Sequence, residues 1–122
     1  MSRFEDQDYT LWARRIKELD RYICRICGKK YNWKDTENER FHSHHLNSWD
    51  IHINERYDIN NGVCLCSRCH LSFHQLFGKG NNTRAQFIEF MKLTELIKTS
   101  AYKLKKDEHL ITVTESKEED LI

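Results

Sequence analysis

Two Cys-x-x-Cys pairs constrain this chain more than any other feature of its sequence. Cys24 and Cys27 form the first, and Cys66 and Cys69 form the second. A Cys-x-x-Cys turn brings two thiolates within bonding distance of a common point, and two such turns complete the tetrahedron that structural zinc adopts. The alternatives are four unrelated cysteines or a redox pair. Zinc ligation contributes folding free energy directly. That matters in a chain of 122 residues, since one of this length buries only about two-thirds of its unfolded surface. The gap from residue 28 to residue 65 is too long for a plain zinc ribbon, so a substructure is inserted between the knuckles. Cys64 falls outside both pairs. On a strand it shares a face with Cys66, which leaves an exchange of ligands open, and it is read as a small buried hydrophobe.

No apolar run approaches the roughly 18 residues needed to cross a bilayer, and MSRFEDQDYT lacks the apolar stretch of a secretory signal. The expectation is a cytoplasmic protein without membrane contact. In that compartment cysteines serve more often as metal ligands than as disulfides.

The elements follow from periodicity and stop signals. Residues 8–21 predict a helix capped by Asp8, with Leu11, Trp12, Ile16 and Leu19 near helical spacing. Residues 22–30 form the first knuckle, and residues 31–40 are a polar loop. Strands are expected at residues 41–46 and 63–65, with a long loop over 47–60. Residues 67–77 predict a helix ending at Gly78. A strong amphipathic helix over 83–99 follows, capped by Asn82 or Thr83, with Phe87, Ile88, Met91, Leu93, Leu96 and Ile97 as its apolar contacts.

The insert is rich in histidine. His42, His44, His45, His52, His70 and His74 all lie between the knuckles or just beyond the second, and only His109 is elsewhere. His70 and His74 stand i, i+4 on the expected helix, so both imidazoles project from one face. His44 and His45 are neighbours on an expected strand and point to opposite sides. One can hold a metal ion while the other stays free to take a proton.

The run His44-His45-Leu46, followed by Asn61-Gly62-Val63-Cys64-Leu65-Cys66-Ser67-Arg68-Cys69-His70-Leu71-Ser72-Phe73-His74, resembles the HNH endonuclease motif. More closely, it is similar to the zinc-knuckle HNH proteins common in phages, among them free-standing homing endonucleases. The resemblance is strong over residues 42–74. It implies an α+β fold: a small zinc-stabilised domain with a ββα-metal core at about 41–77, flanked by helices. It implies one nuclease domain over residues 1–100 and a weakly ordered acidic tail over 101–122. By the same resemblance His45 is the general base. Asn61 either orients that histidine through a hydrogen bond or sits near the metal, with Asn60 as its rival for the position. His44, His70 and His74 ligate a catalytic divalent ion, Mg²⁺ or Mn²⁺, while the four cysteines hold structural Zn²⁺. His42 shares a strand face with His44 and is read as a bystander.

Charge is distributed unevenly. The net charge is +1, but residues 1–106 carry +6 and residues 107–122 carry −5. A basic body suits a polyanion. Arg68, Lys79, Arg56 and Arg84 are the candidates for contacts to DNA phosphates, which set affinity and register rather than sequence preference. Trp49 and Tyr57 either touch DNA or pack in the core. The expected activity is metal-dependent hydrolysis of DNA phosphodiesters, with homing one of its biological settings; host cytoplasm is the location if a phage encodes the chain. The competing reading is a zinc-stabilised nucleic-acid-binding module without catalysis, which would need neither His45 nor Asn61. One chain holds one site, so a monomer nicks one strand. A double-strand break takes a dimer or two events, and the sequence does not choose between them.

Overall fold

The computed structural model describes the backbone of residues 2–34 and 40–109 and side chains as far as residue 99. The chain falls into two compact units, Met1–Phe87 and Ile88–Ile122. The first unit contains everything from the knuckles to the histidines.

It opens with a 3-10 turn, Arg3–Glu5, closed by a capping box between Ser2 and Glu5. Helix α1 spans Gln7–Leu19 and is capped by Asp6, whose carboxylate accepts the Asp8 N–H. The cap is thus Asp6, not Asp8: both are good caps, but only Asp6 has the extended backbone a cap requires. The helix stops at Leu19 because Arg21 and Tyr22 turn left-handed, with φ of 56° and 55°. It buries Trp12 and Ile16, while Leu11 and Leu19 stay exposed.

Strands β1 (Phe41–His45) and β2 (Gly62–Cys66) form an antiparallel pair in which Phe41 faces Cys66 and His45 faces Gly62. Helix α2 (Ser67–Phe77) follows β2 directly and ends at Gly78, whose φ of +81° suits glycine. Two strands and a helix in this order make the expected ββα unit, and the mixed helix-and-strand architecture is the α+β class read from the sequence. The loop between the strands contains two 3-10 turns, Ile53–Glu55 and Ile59–Asn61. Trp12, Ile16, Phe41, Leu46, Val63, Leu65, Phe73 and Phe87, with the buried cysteines, form the apolar core of this unit. Burial pushes the Cys64 thiol up to about 12 and keeps it protonated, as a small hydrophobe should be.

Helix α3 spans Arg84–His109. Thr83 caps it: its hydroxyl accepts the Gln86 N–H, and the Gln86 side chain accepts the Thr83 N–H. Phe87 is buried, but Ile88, Met91, Leu93, Leu96 and Ile97 are exposed, against the expectation that they make apolar contacts. Helical spacing reports which face is apolar, not whether anything covers it. The sequence HLITVT reads as a short β-like run; its first residue, His109, ends α3, and residues 110–114 and the acidic residues that follow lie outside the described residues. No described helix is long and apolar enough to cross a membrane.

Candidate active site

Cys24, Cys27, Cys66 and Cys69 converge so that their sulfurs lie within 4.8 Å of one another. The Cys27 and Cys66 sulfurs are 3.7 Å apart. A tetrahedral ion with bonds of about 2.3 Å sets its thiolates about 3.8 Å apart, so the four can hold a structural zinc ion. The first knuckle is built by the backbone: Cys24 N–H donates to Lys29, Gly28 N–H donates to Cys24, and Gly28 takes a φ of +78°. The second knuckle joins the end of β2 to the first turn of α2, so zinc would tie residues 24–27 to the root of the ββα unit. Cys64 is outside the cluster. Its backbone N–H donates to Asp20 instead, at 2.8 Å, and Asp20 also pairs with Arg25 inside the first knuckle.

The second cluster is His44, His70 and His74, again with one ring nitrogen each inside a 4.8 Å sphere. His44 comes from β1, and His70 and His74 come from one face of α2. The Nε2 atoms of His70 and His74 face one another at 3.1 Å. The Nδ1–H of His74 donates to the Gly78 carbonyl at 2.9 Å, which fixes the tautomer and turns the Nε2 lone pair toward the cluster. That carbonyl is held in turn by the buried Asn82, whose amide donates to it at 3.1 Å. His44 Nε2 is buried and has no hydrogen-bond partner among the described residues. An orphaned buried nitrogen is costly unless something accepts its lone pair, and a divalent cation does so. Burial, reinforced by neighbouring histidines, lowers His44 and His70 to about 3. Both rings are therefore neutral at pH 7, the form that ligates metal. His42 stacks on His70 at 4.6 Å and bonds to Ser67, but it is not among the converging nitrogens.

His45 lies on the other side of β1, as alternation requires. Its Nε2–H donates to the Arg56 carbonyl at 2.9 Å, so Nδ1 is left as the acceptor. The ring is stacked on the Trp12 indole with centres 3.8 Å apart and planes 13° from parallel. Burial lowers His45 to about 4, partly opposed by the bond to Arg56 and assisted by the charges of Arg3 and Arg56. His44, His45, His70, His74 and Lys79 all line one cleft of about 920 Å³.

A triad of histidines, an unprotonated fourth beside it and a four-cysteine cluster at the base of one ββα unit have their counterpart among known families. Residues 24–76 match a family described as HNH endonuclease. The match covers both cysteine pairs and the three clustered histidines. No curated protein and no solved structure matches the chain.

Within the matched stretch, Asn61 bonds to a loop and not to the histidines. Asn61 is buried and makes no hydrogen bond to His45, nor is it part of the histidine cluster. Its carbonyl oxygen accepts the Asn47 N–H at 2.8 Å, and its amide donates to the carbonyls of Asn47 at 2.9 Å and Glu55 at 3.1 Å. It staples the two ends of the loop that presents Arg56. The carbonyl it holds at Glu55 is next to the Arg56 carbonyl that accepts from His45. Asn60 turns its N–H to Asp58, and its carbonyl accepts from Arg84.

Of the basic candidates, Lys79 is exposed on the cleft, and Arg68 is exposed but does not line it. Arg56 and Arg84 are engaged within the protein. Arg56 Nε donates to the Trp49 carbonyl at 2.7 Å, and its guanidinium lies 4.3 Å from the Trp49 ring centre. Arg84 donates to the Asn60 carbonyl at 2.7 Å. Trp49 packs against His45 and Tyr9, and Tyr57 donates to Asp6. The sequence reading missed the partners that hold the histidines: Trp12 as a stacking floor, and the carbonyls of Arg56 and Gly78. Carbonyls carry no sequence signal, and helical spacing marks Trp12 only as apolar.

Proposed function

We propose that this chain hydrolyses DNA phosphodiester bonds in its HNH domain. The observation that carries the reading is the split of the His44-His45 pair: one ring supplies a nitrogen to a cluster of three, and the other lines the same cleft with its Nε2–H bonded to the Arg56 carbonyl and Nδ1 left as the acceptor. His44, His70 and His74 are the residues that would hold a divalent ion, Mg²⁺ or Mn²⁺. Bound there, such an ion supplies charge stabilisation at the phosphoryl oxygen and the leaving 3′ oxygen.

His45 acts as general base. Its Nδ1 accepts a proton from the water that attacks phosphorus, and the imidazolium so formed is stabilised by its Nε2–H bond to Arg56 and by the face of Trp12. Its low proton affinity keeps the ring ready to accept at neutral pH. Asn61 positions the base by fixing the loop from 47 to 56. Lys79 supplies a positive charge at the cleft for the DNA backbone.

The test is cleavage of supercoiled plasmid with Mg²⁺ or Mn²⁺, wild type beside His45→Ala, with zinc content and folding checked in both. The expected result is divalent-dependent nicking by wild type, lost in a folded, zinc-loaded His45→Ala protein. Equal cleavage by the two proteins would remove His45 from the mechanism. DNA binding without cleavage of any substrate by either would leave a zinc-stabilised binding module.

A further inference from the structure

Arg3 is held in an arrangement that a solvated surface arginine does not need. Its guanidinium carbon stands 5.3 Å from the Phe4 ring centre, 5.6 Å from Tyr9 and 5.6 Å from Trp49. Three aromatic faces fix its direction and leave its N–H donors uncommitted. Among the described residues it has no carboxylate partner; the ion pairs found there join Arg25 to Asp20 and Lys98 to Glu95.

The aromatic frame beneath Arg3 also frames His45. Tyr9 stacks against the His45 ring at 6.1 Å, and Trp49 meets it edge-on at 5.7 Å. Arg3 lines the same cleft as His45, His70 and His74. A fixed cation beside a triad of metal-ligating histidines opposes the binding of a second cation, by Coulomb repulsion. The two coexist favourably when an anion lies between them. The aligned donors of a guanidinium match the oxygens of a phosphate.

Resting on the nuclease reading above, we propose that Arg3 is a phosphate-binding residue of the active site. Standing on Phe4, Tyr9 and Trp49 at the edge of the histidine cleft, its guanidinium grips a phosphodiester of the strand that is cut and holds it against His45 and the His44, His70 and His74 cluster. The role differs from that of Lys79, which is exposed and free to swing. Arg3 is oriented before substrate arrives, so its bond to phosphate costs less side-chain entropy.

The experiment uses the full zinc-loaded chain as wild type, Arg3→Ala and Arg3→Lys, with zinc content and melting temperature measured for each. The affinity for a short duplex is followed as a function of salt with no added divalent ion, and cleavage is followed at saturating DNA with Mn²⁺. Loss of one phosphate contact lowers the slope of log affinity against log salt by about 0.9, and that is the expected result for Arg3→Ala. Its cleavage rate at saturating DNA is expected to fall roughly 10²-fold, the scale of losing one oriented donor to a reacting oxygen. Arg3→Lys should restore the salt slope but only part of the rate, a rescue that a purely structural role would not give. An unchanged slope in Arg3→Ala overturns the contact, whether or not wild type cleaves. A lowered slope with an unchanged rate at saturation also overturns the proposal, since the phosphate gripped would then be remote from the reaction. A wild type that cuts nothing defeats the nuclease reading by itself, and the salt slope alone then decides whether Arg3 contacts phosphate.

Discussion

The indole of Trp12 lies face to face with the imidazole of His45, ring centres 3.8 Å apart, and it is locked there from both sides. Its Nε1–H donates to the Asp58 carbonyl at 2.8 Å. Beneath it, β2 passes so closely that a Cβ on Gly62 would stand 2.5 Å from the indole and 2.8 Å from Ile16. Gly62 has an extended backbone, so glycine is needed here for space and not for conformation. It is also the register partner of His45 across the sheet. Helix, strand pair and proposed base therefore meet at one point where no extra carbon fits.

Gly62→Ala should accordingly act on the base through the indole. The methyl group must displace Trp12 or Ile16, which costs about 1–3 kcal/mol as overpacking. Cleavage should fall well beyond what that loss of stability explains, because the floor under His45 shifts. Trp12→Phe is the partner experiment: it keeps a ring but drops the bond to Asp58, and it should retain zinc while losing activity. Thermal unfolding and plasmid nicking read both. Full activity in Gly62→Ala would show that the stack has no part in catalysis.

Asn61→Ala leaves the Asn47 N–H and two loop carbonyls without their partner. Buried polar groups stranded in this way cost about 1–3 kcal/mol, measurable by urea unfolding. Nicking should drop at least tenfold, since the loop that carries the Arg56 carbonyl loses its staple. If activity vanishes while stability matches wild type, Asn61 acts on the reacting phosphate instead of through the loop.

The sequence made the chemistry-bearing side chains legible and left their supports hidden, for a physical reason. Residues proposed as metal ligands or as a base must be of particular types at particular spacings, so Cys24, Cys27, Cys66, Cys69, His44, His45, His70 and His74 stand out, and the fold gathers the cysteines and three of the histidines into two clusters. What orients them is different in kind. His74 is set by the Gly78 carbonyl and His45 by the Arg56 carbonyl, and any residue has a carbonyl. Helix α2 was readable to the residue because a glycine ends it and the second knuckle begins it. Asp6 and Asp8 were not separable as caps, because both satisfy the composition rule and only backbone geometry chooses. Ile88, Met91, Leu93, Leu96 and Ile97 of α3 misled because hydrophobic spacing looks the same on a covered and an uncovered face.

The two clusters should differ in what metal removal does. Zinc in the cysteine cluster closes the loop from residue 24 to residue 69, so a strong chelator should unfold the chain, as should Cys66→Ser. Metal in the histidine cluster joins β1 to α2, which already pack through the core. His44→Ala should therefore fold, keep one zinc equivalent, and lose the second binding event in a Mn²⁺ or Co²⁺ titration. Its unfolding transition should remain cooperative. Retention of tight binding by His44→Ala would mean that His70 and His74 suffice or that another residue completes the set.

Acid should destabilise the folded unit through the same histidines. His45 falls to about 4 and His44 and His70 to about 3 in the folded chain, against an ordinary value near 6.5. Between these limits the unfolded chain binds more protons than the folded one, so stability rises with pH. The contribution is fully present above about 6.5 and is lost as pH falls toward 4. Protonation of the zinc thiolates also weakens the fold in acid, so the informative quantity is a difference. His45→Gln, compared with wild type with zinc bound and no other divalent ion, should show a shallower pH dependence. The slope should drop by at most about 1.4 kcal/mol per pH unit, the limit for one proton. Urea unfolding at half-unit steps from pH 7 to pH 4.5 measures it. Parallel curves for the two proteins would mean that His45 is as easily protonated in the fold as out of it, and the base would then have to work without the burial that Trp12 provides.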